Sequence, residues 1–219
     1  MSTASAFEHR LRPLADPARA APMRAYMKDQ FAFLGLPAPL RRAAVKDLVA
    51  AHPQDPDRLL DSAEALWRLP EREFRYTAVD LLRHHHRRLA PAQLPRLQDW
   101  LLRDSWWDTV DGLAAVIGRI VLAARGAQVT MDAWIAHPDF WVRRAAMLHQ
   151  LGWKGATDTE RLGRHALLLA GEREFFIRKA IGWALRDYAR TDPAFVRAFV
   201  DAHRARLSPL SLREAAKHC

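Results

Sequence analysis

The sequence predicts an all-α protein, a short α-solenoid built of helical hairpins. Three observations lead there. Apolar residues recur at three- and four-residue spacing along most of the chain, as in RRAAMLHQLGW and FFIRKAIGWALRDY. No alternating strand pattern interrupts them, and the one Asp-Gly pair, Asp111-Gly112, lies inside a helical pattern rather than between strands. Finally, four segments resemble one another at a nearly constant interval, which is the mark of stacked repeats.

The helices are punctuated in order. Asp16-Pro17, Asp55-Pro56 and Asp192-Pro193 each read as an N-cap followed by a proline in the first turn, where its missing N–H costs nothing. Further helix starts follow Pro70, Pro91 and Pro138. Ser105-x-x-Asp108 and Ser211-x-x-Glu214 read as capping boxes. The sum is about a dozen helices of ordinary length. The repeated segments are EFRYTAVDLL, WWDTVDGLAA, FWVRRAAMLH and FFIRKAIGWA. Stacked without gaps they place Ala78, Asp111, Ala145 and Ala180 in one column, at intervals of 33, 34 and 35 residues. Residues 1–219 are expected to form a single domain, because 219 residues with 50% hydrophobic content can bury one sizeable core.

Composition narrows the partners. A net charge of +9 and a pI near 10.5 favour a polyanion, nucleic acid first and an anionic membrane surface second. Of the 34 basic residues 29 are arginine, which suits bidentate phosphate recognition; genomic base composition is the competing explanation, and the absence of asparagine fits it. The one cysteine, Cys219, excludes a disulfide framework or a Cys-based metal site and suits a reducing cytoplasm. The N-terminal MSTASAFEHRLRPLADPARA lacks the apolar run of a signal peptide, and Arg119 breaks the longest apolar stretch, so no membrane helix is expected. No Gly-rich phosphate loop and no metal spacing occur. The triplet His84-His85-His86 points three ways on a helix, cannot share one ion, and reads with Arg87 and Arg88 as a solvated basic face. No cofactor is expected.

One stripe carries candidate chemistry. With the Ala78 column as position zero, Trp107 stands at −4, Arg144 at −1, Asp111 at 0 and Trp183 at +3, which is one face of a helix. Phe74, Leu81, Val110, Trp141 and Phe176 share that stripe, so core packing accounts for the aromatics as readily as function does. Asp111 and Arg144 are different: a carboxylate and a guanidinium on an apolar stripe either pair as a structural bridge or face a functional surface. Asp108 is explained by its capping box and Trp106 by packing. Asp111, a turn deeper and one turn after Trp107, presents a carboxylate beside an indole.

SWWDTVD, then FWVRRAAMLHQL, then EFFIRKAIGWALRDYA resemble the AlkD-type DNA alkylation-repair glycosylases, as do MRAYMKDQFAFLGLPAPLRR near the start and LSPLSLREAAKH at the end. The resemblance runs in order along nearly the whole chain. It implies a right-handed α-solenoid of HEAT-like repeats with a concave basic DNA-binding groove. It implies an enzyme that hydrolyses the N-glycosidic bond of cationic N3- and N7-alkylated purines in duplex DNA without base flipping, as a cytoplasmic, nucleoid-associated monomer. Carried over by position, the catalytic aspartate falls on Asp111, the two sugar-contacting tryptophans on Trp107 and Trp183, and the DNA-backbone arginine on Arg144. Tyr26, Lys154 and Arg186 match positions associated with DNA contact. Pro37 stands in a loop that in relatives can hold a polar residue near the DNA, and the chain stops at Cys219 within an apparent helix, where a few residues are expected to be missing. Two other readings stay open: a DNA-binding repeat protein without chemistry, and a protein-interaction scaffold.

Overall fold

The computed structural model describes residues 3–53 and 55–218; Cys219, with the expectation about the chain's end, lies outside the described residues. Among the described residues are fourteen α-helices, six short 3-10 turns and no strand, with one isolated parallel bridge between Ala32 and Glu71. No helix among the described residues is long and apolar enough to cross a membrane. The chain forms two compact units, Met1–Leu89 and Ala90–Cys219.

The first unit holds α1 (Thr3–Leu11), α2 (Pro17–Tyr26), α3 (Ala38–Ala44), α4 (Lys46–Ala50), α5 (Pro56–Trp67) and α6 (Arg72–His84). The Asp-Pro starts behave as expected: Asp16 accepts from the Ala18 and Arg19 N–H groups, and Asp55 from that of Arg58. α5 and α6 pack as a hairpin, with Leu59, Leu60 and Leu66 of α5 and Phe74, Ala78 and Leu81 of α6 fully buried. The histidine triplet does not form one solvated face. His85 is buried and its Nε2 lies 2.7 Å from the Val49 carbonyl, while His84 is exposed. The helix ends at His84, so the next residue turns inward instead of continuing the surface.

The second unit contains α7 (Leu94–Leu101), α8 (Trp107–Ala123), α9 (Gln128–Trp134), α10 (Phe140–Leu148), α11 (Thr159–Leu168), α12 (Phe175–Ala189), α13 (Pro193–Ala202) and α14 (Pro209–Ala215). They pair as four consecutive hairpins. The second helix of each, α8, α10, α12 and α14, packs on the second helix of the next, which makes a continuous inner layer. The predicted column falls in equivalent helices: Ala145 and Ala180 are fully buried on α10 and α12, as Ala78 is on α6 of the first unit. Asp111 on α8 is the one polar member.

Neither helix starts where its capping box, read from the sequence, places it. Ser208, followed by Pro209 in the first turn, caps α14 by accepting from the Ser211 N–H. The helix therefore starts three residues early, and Ser211 and Glu214 turn into the interior. At α8 the N-cap position is Trp106, without a side-chain cap, because the Ser105 hydroxyl donates to the Leu101 carbonyl of the preceding helix. Asp108 sits in the first turn of α8, where a negative charge suits the helix dipole.

Candidate functional site

α8 and α10, and likewise α12 and α14, approach closely because a glycine stands at each crossing. A Cβ at Gly118 on α8 would lie 2.0 Å from the His149 carbonyl oxygen at the end of α10. A Cβ at Gly182 on α12 would lie 2.4 Å from the Glu214 Cβ and 2.9 Å from the Ser211 carbonyl oxygen on α14. Any larger residue would push the helices apart.

Within that frame Arg144 of α10 reaches Asp111 of α8 as a fork: Nε donates to Oδ1 at 2.7 Å and Nη2 to Oδ2 at 2.8 Å. Its Nη1 donates to the Phe176 carbonyl in the first turn of α12. The guanidinium also lies 5.3 Å from the Trp183 ring centre and 5.8 Å from that of Phe176. One side chain thus ties three inner helices together. Arg144 is 1% exposed and Asp111 24%. The expected grip of Arg144 on a DNA phosphate is therefore corrected: its guanidinium is committed inward, and the group left with an open edge is the carboxylate. Burial pushes the Asp111 carboxyl above the ordinary aspartate range, and the Arg144 hydrogen bonds pull the other way.

Aromatic rings wall the pair. Trp106, Trp141 and Phe176 form a triangle with ring centres 4.9 to 5.8 Å apart; Trp141 is buried, and Trp106 and Phe176 are partly exposed. Trp107, the first residue of α8, is partly exposed one turn before Asp111. Trp183 is partly exposed on α12 and has three cations near its ring: Arg144 at 5.3 Å, Arg186 at 5.7 Å and Lys179 at 5.9 Å. The structure therefore brings Asp111, Trp107, Arg144 and Trp183 onto three adjacent helices of one unit.

A model of the DNA alkylation repair enzyme family matches residues 7–219. The chain belongs to that family. Among solved structures, a predicted DNA alkylation repair enzyme from Enterococcus faecalis is 34% identical, with a TM-score of 0.87 over 93% of this chain and 96% of the other. The protein smu.31 from Streptococcus mutans UA159 gives a TM-score of 0.65 at 16% identity over 99% and 98% of the two chains. AlkD2 from Streptococcus mutans gives 0.63 at 19% identity over 78% and 86%. The last two show the shared all-α fold. No curated protein matches the chain.

As a DNA alkylation repair family member, the protein places its remaining candidates in different settings. Lys154 is exposed at the start of a 3-10 turn, with a left-handed backbone (φ 54°). Arg186 is 27% exposed and donates to Glu214. Tyr26 belongs to the first unit, at the end of α2, and is 69% exposed. Pro37 precedes α3 directly, and the loop before it is pinned by the buried Glu73 carboxylate, which accepts from the Leu34, Gly35 and Leu36 N–H groups. Two residues were missed by sequence reasoning. One is Glu214, which the sequence pattern assigns to a cap and which is 3% exposed. Lys179 is the other, and its Nζ sits 2.7 Å from Glu214 in an ion pair. A signal for both existed: Lys179, Trp183 and Arg186 follow i, i+4, i+7 spacing, which puts them on one face of α12.

Proposed function

We propose that the protein is a monofunctional alkylpurine DNA glycosylase that acts on duplex DNA as a monomer, with 1–219 working as one repeat domain. The family match runs through the boundary between the two units, which supports treating them as one functional body. The observation that carries the reading is the Asp111 carboxylate: fixed from behind by a buried guanidinium, open at one edge, one helical turn from Trp107.

The chemistry needs that much from the protein. A purine alkylated at N3 or N7, such as 3-methyladenine or 7-methylguanine, already carries a positive charge. When its N-glycosidic bond breaks, the bonding pair moves into the ring and the base leaves neutral, so no general acid is required. The sugar left behind develops oxocarbenium character. A fixed carboxylate stabilises that charge, orients the water that adds to the anomeric carbon and takes up the proton which that water loses, leaving an abasic site. Arg144 acts as a positioning residue: each carboxylate oxygen accepts one bond from it, and the partly exposed side chain keeps further lone pairs for a ligand. Trp107 and Trp183 would hold the deoxyribose. The cations already around Trp183 argue that its part is to wall the sugar, leaving charge stabilisation to Asp111. Exposed basic residues such as Lys154, and Tyr26 in the first unit, would contact the DNA backbone without reading or flipping a base.

The test is incubation of the protein with alkylated duplex. Release of 7-methylguanine or 3-methyladenine, with abasic sites and intact strands, is the expected result; strand cleavage without added base would replace the monofunctional reading. The ion pair itself favours one alternative, in which Asp111 and Arg144 are only a bridge between α8 and α10 of a protein that binds damaged DNA without chemistry. Tight binding with no released base would select it.

A further inference from the structure

The second buried carboxylate of this unit is arranged the opposite way round. Glu214 of α14 is 3% exposed and accepts from three cations: Lys179 Nζ at 2.7 Å, Lys217 Nζ at 2.8 Å and Arg186 Nη1 at 2.9 Å. Those cations are 24%, 48% and 27% exposed. Three positive groups against one negative leave a local charge of +2 at the surface. Lys179 and Arg186 stand on either side of Trp183 along α12, each within 6 Å of its ring. α14 is seated for this: Gly182 lets it approach, and the Ser211 hydroxyl donates to the Arg178 carbonyl of α12 at 2.9 Å. Long cationic side chains on a helix surface sample many rotamers, and a shared buried acceptor fixes their direction.

We propose that Glu214 is a positioning residue that aligns Lys179 and Arg186 as a two-pronged clamp for a phosphate group of DNA beside Trp183. This deepens the glycosylase reading by giving the Trp183 side of the site its own backbone anchor, and it rests on DNA being the ligand. The prediction has an unusual sign. Removing an acid from a DNA-binding protein ordinarily strengthens binding, because the net charge rises. Removing this one weakens binding, because the cations lose their alignment.

The experiment measures affinity for an unmodified duplex against salt concentration, for wild type, Glu214→Gln, Glu214→Asp and Glu160→Gln. Glu160 is 90% exposed on α11 and serves as the charge control. Expected are binding weakened about tenfold in Glu214→Gln with a salt slope smaller by about 1 to 2, partial recovery in Glu214→Asp, and unchanged or tighter binding in Glu160→Gln. Glu214→Gln binding as tightly as wild type, in a sample that melts cooperatively, overturns the proposal. If that variant does not fold, Lys179→Met and Arg186→Met in the Glu214 background decide: each is expected to lower the salt slope by about 1, and no change in either overturns it. Base release from alkylated duplex is followed in parallel. A wild type that binds but releases nothing removes the glycosylase reading and leaves the clamp to be judged on binding alone.

Discussion

Two ion clusters lie one helix apart in the same unit, and they are inversions of each other. In the first, a buried cation, Arg144, holds a carboxylate whose edge is open. In the second, a buried carboxylate, Glu214, holds cations that are partly exposed. The first is neutral as a pair and offers a negative edge; the second carries a surplus of positive charge. Burying a charge is costly unless it is paired and hydrogen-bonded, so in each cluster the buried partner is explained by the exposed one. In the proposed reading the exposed member meets the ligand: a negative edge for a sugar that becomes cationic, a positive one for phosphate.

The comparison breaks most sharply at the buried members. Arg144→Met leaves Asp111 without its partner and removes the tie among α8, α10 and α12. A loss of about 3 to 5 kcal/mol in urea unfolding is expected, with base release abolished. A loss below about 1 kcal/mol would mean the pair bears little of the helix packing.

The two glycine crossings sharpen it next. Gly118→Ala pushes a methyl against a backbone oxygen, and Gly182→Ala pushes one against Glu214 and the Ser211 backbone. Each is expected to cost about 1 to 3 kcal/mol by thermal or urea unfolding. Only Gly182→Ala should also weaken DNA binding more than it slows base release, since it displaces the clamp and not the Asp111 edge.

Acid separates the two carboxylates. The Glu214 carboxyl is held down to about 2 by hydrogen bonds from Lys179 and then Lys217. A depressed carboxyl contributes stability that is fully present above its ordinary pKa, about 4.5, and lost as pH falls toward 2. Asp132, held well below the usual range by Arg161 first and also by His165, acts in the same direction. Asp111 is shifted the other way, so its burial costs stability at neutral pH and protonation relieves that cost. Base release should therefore decline on acidification before the fold does, through a value above the ordinary aspartate range. Rate and circular dichroism measured over one pH series check this, and coincident loss of both would contradict it. The smallest effect belongs to Lys217, the most exposed of the three cations. Lys217→Ala should cost no more than about 1 kcal/mol.

Much of this was legible in the sequence for a physical reason. Helical periodicity and Asp-Pro caps are local signals, and the structure honours those caps at Asp16, Asp55 and Asp192. The column of Ala78, Ala145 and Ala180 reports close helix packing, and Asp111 stood out because it occupies a place where the other repeats carry a buried methyl group. What failed was the choice between partners. The stripe placed Arg144 beside Asp111 and could not say whether the guanidinium faced inward or toward a phosphate, which depends on a helix spacing set by Gly118. The two Ser-x-x-acid patterns misled because each serine had a competing bond. Ser-Pro at 208–209 starts α14 earlier, and the Leu101 carbonyl takes the Ser105 hydroxyl. Glu214 was hidden by that local pattern, since the cations that hold it come from α12 and from the turn after α14.

Asp111→Asn tests the central claim most directly. The substitution keeps the size of the side chain and removes the negative edge, so single-turnover release of 7-methylguanine from alkylated duplex should fall about 100-fold, equivalent to about 3 kcal/mol of transition-state stabilisation, with duplex affinity little changed. Release at the wild-type rate by a folded Asp111→Asn protein would contradict the account.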